Sequence, residues 1–207
     1  MNPRIHPCAG LLALSARLIS GAQARWFNCE PLLRQRVYFA NHTSHLDLLV
    51  LWATLPMEIR AITRPVAAGD YWSNGIARRY VAGSIFHAVM IERPETPVAS
   101  HDIMEPVLTA LNAGESLILF PEGTRGTGEE VAPFKSGLYH MCRMWPNLEA
   151  VPVYLENLNR ILPKGEFLPV PLLSQVTFGP GIQVCESESK DEFLARARNA
   201  VCELRNL

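Results

Sequence analysis

The residues whose types and spacing suit chemistry come early, in Asn41-His42-Thr43-Ser44-His45-Leu46-Asp47. A histidine takes up a proton near neutral pH. A carboxylate a few residues away can hold its tautomer and stabilise the imidazolium that forms. His42 and Asp47 are therefore the candidate general base and its orienting acid, with Asn41 and Ser44 as supporting groups. Two other readings fit the same letters. Ser44-x-x-Asp47 before an apolar run has the form of a helix capping box with Asp in place of Glu. His42, His45 and Asp47 could also be imagined around a metal, but three ligands with no Cys-x-x-Cys or His-Glu-x-x-His pattern make a poor site, so no metal is expected.

A second polar cluster follows an apolar run at Ser116-Leu117-Ile118-Leu119-Phe120. It reads Pro121-Glu122-Gly123-Thr124-Arg125-Gly126-Thr127-Gly128 and leads to Phe134-Lys135-Ser136-Gly137. Arginine guanidinium groups suit phosphates and carboxylates because they donate two parallel hydrogen bonds, and the glycines let backbone approach such an anion closely. The loop lacks the spacing and the terminal Lys-Ser/Thr of a nucleotide-binding P-loop. No Gly-x-Ser-x-Gly marks a serine nucleophile, and no cysteine has a basic neighbourhood in the sequence. A histidine base without an enzyme nucleophile suits a reaction in which an alcohol substrate attacks an acyl carbon that is already activated.

The elements that must position these residues alternate between strand-like and helix-like runs, the pattern of an α/β layer fold. Strands are expected near Ala24 to Phe27, at Val37 to Ala40, at Arg60-Ala61-Ile62-Thr63, at Val89-Met90-Ile91, from Ser116 to Phe120, from Ala150 to Leu155 and near Val176-Thr177-Phe178. Pro152 asks for an edge or irregular position in its strand. Helices are expected from Ser44 to Leu55-Pro56, over residues 70–82, from Ser100 to about Asn112 with Gly114 as its C-terminal cap, from Phe134 through Met144, and from Lys190 onward. The last should bury Phe193, Leu194, Ala197, Val201 and Leu204. The fold class is thus a single α/β domain over residues 1–207, with a mixed, largely parallel central sheet flanked by helices. Residues 1–30 form an amphipathic N-terminal segment, 36–155 the core bearing the motifs, and 156–207 complete the fold. If the strands are neighbours, the clusters at 41–47 and 122–125 and the Arg93 that follows a third strand converge on one crevice.

Composition narrows the partners. With 207 residues and a formal net charge of −1, the chain can bury a substantial core but has no global field toward nucleic acid. Five scattered cysteines without metal spacing read as reduced thiols of a cytosol-facing protein, which argues against taking Ala22-Gln23-Ala24 as a signal-peptidase site. The apolar stretch from Cys8 to Ala24 is interrupted by Arg17 and is shorter than the ~20 residues that span a bilayer. Residues 9–20 instead read as an amphipathic helix with Leu11, Leu12, Leu14, Leu18 and Ile19 on one stripe, which packs on the domain or lies in a membrane interface.

The order and spacing of Asn41-His42-x-Ser44-x-x-Asp47, Phe120-Pro121-Glu122-Gly123-Thr124-Arg125, Phe134-Lys135-x-Gly137 and Val151-Pro152-Val153 resemble the successive motifs of the glycerolipid acyltransferases, and most nearly the bacterial 1-acylglycerol-3-phosphate acyltransferases. The resemblance implies transfer of a fatty acyl group from a thioester, acyl-CoA or acyl carrier protein, to the hydroxyl of a lysophosphatidic acid, with no other cofactor. It implies that His42 removes the hydroxyl proton, that Asp47 orients His42, and that Glu122, Gly123, Thr124, Arg125 and Lys135 hold the acceptor while Arg93 helps bind its phosphate. It also implies attachment to a membrane surface, on the cytoplasmic face of the inner membrane, in a peripheral, monotopic or partly soluble form. The family's second motif is matched only loosely by Val89-Met90-Ile91-Glu92-Arg93, which leaves other acceptors open: another lysophospholipid, a lyso-aminolipid or glycerol 3-phosphate. A lipid-binding module without turnover and a thioesterase in which His42 activates water are the readings from other classes.

Overall fold

The computed structural model describes residues 7–69, 75, 79–91, 100–161 and 173–207. Among them seven strands form one sheet: β1 (Gln23–Trp26), β2 (Arg36–Ala40), β3 (Thr63–Ala68), β4 (Val89–Ile91), β5 (Ser116–Leu119), β6 (Glu149–Glu156) and β7 (Gln175–Phe178), in the order β1-β7-β6-β2-β5-β3-β4. Every pairing is parallel except β6 with β7. β2 is central and fully buried. Its alternate side chains feed two cores: Tyr38 and Ala40 join Ile118, Val151 and Val153 on one face, and Val37 and Phe39 join Leu117 and Ala150 on the other. Continuous apolar runs are what strands covered on both faces require.

Helices α1 (Pro7–Ser20), α2 (Asp47–Thr54) and α3 (Met57–Ala61) contribute to the first core, and α4 (Ser100–Asn112), α5 (Gly137–Met144) and, after the short α6 (Leu158–Ile161), α7 (Lys190–Glu203) contain residues of the second. Gly114 takes up φ 78° and donates to Leu111 O, ending α4 as expected. Ser189 and Glu192 make a reciprocal capping box at α7, which buries Phe193, Leu194, Ala197 and Val201, with Leu204 buried just beyond it.

Some local expectations are revised. The strand expected at Arg60–Thr63 begins only at Thr63, because residues 57–61 close a helical turn in which Arg60 N–H reaches Pro56 O. Pro65 lies inside β3, where the strand changes partner from β5 to β4 and its missing N–H interrupts neither ladder's interior. Pro152 takes the irregular of the two positions expected for it: β6 pairs with β2 along its length, but its ladder with β7 begins only at Val153. Its nitrogen faces the β7 side, as does the N–H of Ala150, which bonds Ile182 O; there β7 has given way to Gly179-Pro180-Gly181, so no donor is needed.

The largest revision concerns α1. Ala9, Ala13, Ala16 and Ser20 are its buried positions, while Leu11, Leu14, Leu18 and Ile19 are 69%, 56%, 74% and 49% exposed. Small side chains let α1 approach α2 closely, so the alanine face wins the packing and the leucine stripe faces outward with only Leu12 partly buried. Of the helix expected over 70–82, residues 70–74 and 76–78 lie outside the described residues. Arg79 and Tyr80 are helical, Tyr80 is half exposed, and a π-helical turn follows at Val81–Ile85.

Candidate functional site

The site is built where β2 and β5 end side by side. Phe39 pairs with Leu119, so Ala40 and Phe120 leave the sheet as neighbours and carry their polar loops to the same place. This adjacency brings together two segments some eighty residues apart. Asn41 extends the sheet by its side chain: Nδ2 donates to Leu155 O at 3.0 Å and Oδ1 accepts from Leu155 N–H at 2.8 Å, tying β2 to β6 one residue before His42.

His42 Nδ1 lies 2.9 Å from Asp47 Oδ2. The same oxygen accepts Thr43 N–H at 2.6 Å and Ser44 N–H at 2.8 Å. An oxygen that accepts two backbone donors presents only an acceptor to the ring, so Nδ1 is the donor, and in the neutral imidazole the lone pair is on Nε2. Asp47 is fully buried, whereas the His42 side chain keeps 23% exposure. A base must have an accessible edge and a fixed opposite edge, and this pair provides both.

The capping-box expectation survives by half. Asp47 accepts Ser44 N–H, but Ser44 Oγ accepts Leu46 N–H at 3.3 Å instead of Asp47 N–H. Helix α2 accordingly starts at Asp47, with Leu46 and not Ser44 at its N-cap position. The carboxylate has turned toward His42 and the preceding turn. Among the described residues no group of three or more His, Cys, Asp or Glu is placed to hold a metal ion.

Around His42 the main chain is clamped from the second loop. Glu122 Oε1 accepts His42 N–H at 2.7 Å, and Gly126 N–H donates to His42 O at 2.8 Å. Glu122 Oε2 accepts Ala132 N–H at 2.9 Å. Glu122 is only 4% exposed, so both oxygens of the carboxylate expected to hold the acceptor are engaged on protein N–H groups.

The cations lie further out. Arg125 contacts His45 Nε2. Lys135 is exposed and its stem lies across Gly123: a Cβ built on that glycine, whose φ is 72°, would come 2.7 Å from Lys135 Nζ. Thr124 is exposed beside them. Gly123 is thus required for its backbone conformation, while the exposed end of Lys135 is free to swing away from a side chain placed there. Arg93 lies outside the described residues.

Several contributors had no role assigned to them from the sequence. Phe120 stacks on the His42 ring. The loop that clamps His42 is itself held from the C-terminal third, where Asn159 donates to Thr127 O, Arg198 to Val131 O and Arg205 to Glu129 O. Such bonds end on backbone carbonyls and leave no pattern of letters. The buried Cys142 thiol is pushed up to about 12 by burial, far from a reactive thiolate.

Comparison with known proteins supplies the family. A family profile described as Acyltransferase matches residues 29–156, a span that holds both strand ends and both loops. The chain belongs to the acyltransferase family. Relatives of this chain include a 1-acyl-sn-glycerol-3-phosphate acyltransferase from Limnanthes douglasii, 26% identical over 153 residues, which cover 74% of this chain and 52% of that protein. The alpha form from Mus musculus is 30% identical over 160 residues, 75% of this chain and 53% of that one. The chain spans about half the length of these curated relatives. In fold, the chain is similar to the crystal structure of the 1-acyl-sn-glycerophosphate (LPA) acyltransferase PlsC from Thermotoga maritima, with a TM-score of 0.74 and 15% identity over 96% of this chain and 77% of that one.

Proposed function

We propose that the protein is an O-acyltransferase that moves a fatty acyl group from an acyl thioester to the free hydroxyl of a lysophosphatidic acid, giving phosphatidic acid. The observation that carries the reading is the His42–Asp47 pair, with Nδ1 held by a buried carboxylate and Nε2 left as the basic edge. Nε2 takes the hydroxyl proton as the oxygen attacks the thioester carbonyl. Asp47 stabilises the imidazolium across 2.9 Å. The tetrahedral intermediate then expels the thiolate, which takes the proton back from Nε2, leaving an ester and a free thiol. A thioester is already activated, so no enzyme nucleophile is needed; a positioned base contributes roughly 10²–10⁴ in rate.

Arg125 beside His45 and Lys135 across Gly123 put two cations on the loop that follows β5, which supports their holding the acceptor phosphate, with Arg93 as a third cation. The names of the relatives support lysophosphatidic acid as acceptor. Acyl-CoA and acyl carrier protein both supply the required thioester. The outward leucine stripe of α1 supports peripheral attachment to a membrane surface; among the described residues no helix is long and apolar enough to cross one.

The test is thioester loss and ester formation with lysophosphatidic acid, wild type beside His42→Ala and Asp47→Asn. Turnover falls by roughly 10²–10⁴ in each variant if the pair acts as described. Equal turnover in wild type and His42→Ala removes the histidine from the mechanism, and free fatty acid as the main product would make the protein a hydrolase.

A further inference from the structure

The base in this site carries more support than its hydrogen bond to Asp47. The Phe120 ring lies against the imidazole of His42, with centroids 4.4 Å apart and planes inclined by 25°. A hydrogen bond along one edge fixes where Nδ1 points, but it leaves the ring free to roll about the Nδ1···Oδ2 line, and the histidine χ2 torsion is intrinsically broad. A flat partner against the ring face removes that freedom. It also aims Nε2.

We propose that Phe120 is a positioning residue for His42, holding the plane of the imidazole so that Nε2 faces the acceptor hydroxyl. The proposal rests on the acyl-transfer reading of the site. Phe120 is itself held at two points: its side chain packs against the core that includes Tyr38, Ile118 and Val153, and its carbonyl accepts Gly123 N–H at 3.0 Å. The β2–β5 pairing that joins the two loops therefore sets the stack as well. The arene also acts selectively on the reaction. Its negative face attracts the imidazolium more than the neutral ring, so its contribution grows as the hydroxyl proton moves to Nε2.

The experiment compares Phe120→Leu with Phe120→Tyr in the full-length protein. The leucine variant should lose roughly tenfold in kcat while its KM for the acceptor stays within about twofold, since ring stacking and its charged component are of that size. The tyrosine variant keeps the ring and restores turnover. In proton NMR, the His42 ring signals of the wild type should show an upfield ring-current displacement that disappears in Phe120→Leu and returns in Phe120→Tyr. Phe120→Met gives a second apolar, non-aromatic side chain if the leucine variant does not fold. Wild-type kcat in a folded non-aromatic variant overturns the proposal, as do His42 signals indifferent to the substitution. Should the wild type transfer no acyl group, the functional reading fails, and the NMR comparison still decides whether the stack holds the ring.

Discussion

Replacing Glu122 by glutamine separates two roles that the same carboxylate could play. In the structure Oε1 accepts His42 N–H at 2.7 Å and Oε2 accepts Ala132 N–H at 2.9 Å, within a side chain 4% exposed. Glutamine has one acceptor oxygen and one amide group of the same reach. Whichever way it turns, one of the two buried N–H groups meets another donor. Leaving a buried donor without its acceptor costs about 1–3 kcal/mol, and for a chain of this length each kcal/mol lowers the melting temperature by roughly 2–4 °C. The variant should therefore melt about 2–12 °C below wild type. Because His42 hangs from one of these bonds, kcat should fall by roughly tenfold, the size expected when a base shifts by a fraction of an ångström, with little change in the acceptor KM. The assay is thermal and urea unfolding together with steady-state kinetics in which the acceptor is titrated. A Glu122→Gln variant as stable as wild type would refute the bracing argument. A raised KM with unchanged kcat would do so too, and would return Glu122 to direct acceptor binding.

The leucine stripe of α1 gives a test on the surface. Changing Leu11, Leu14 and Leu18 together to glutamine should lower sedimentation with phospholipid vesicles by at least roughly a hundredfold, since each leucine that enters an apolar phase is worth about 1.5–3 kcal/mol, and should leave the melting temperature nearly unchanged because all three are exposed; equal vesicle binding would show that another surface engages the lipid. The carboxyl of Glu188 is held below its ordinary range, first by its hydrogen bonds from Arg196, at 2.7 Å to each oxygen. A depressed carboxyl contributes stability that is present above the unfolded value of about 4.3 and lost as pH falls through the folded one. Glu188→Gln should thus be slightly less stable than wild type near neutrality and lose less on acidification below about pH 4.5, measured as urea midpoints across pH; parallel curves would rule out the linkage.

Local letters carry much of this protein. A polar insertion between two apolar runs announces that a strand hands over to a helix at residues 41–47, and a separation of five positions from His42 to Asp47 suffices to return a carboxylate to the ring when a tight turn intervenes. The continuous apolar runs at β2 and β5 are legible as buried strands for the same reason: covering both faces of a strand leaves no polar alternate. What such patterns cannot state is which strands touch. That β2 lies beside β5 is decided by the packing of the whole sheet, and from it follow the Glu122 and Gly126 clamps and the Phe120 stack. Periodicity likewise reveals that α1 has two unlike faces but not which one turns inward. The alanines do, because close approach to α2 leaves no room for leucine, and the larger side chains are left on the outside. Pro152 makes the same point in the backbone. The letters ask for an edge or an irregular position, and only the fold chooses between them, by placing Pro152 in an interior strand where the neighbouring chain has already turned away. Chemistry borne by residues close in sequence was open to reading from the chain alone; whatever depended on two distant segments meeting was settled only when the burial of apolar surface chose one arrangement for all of them.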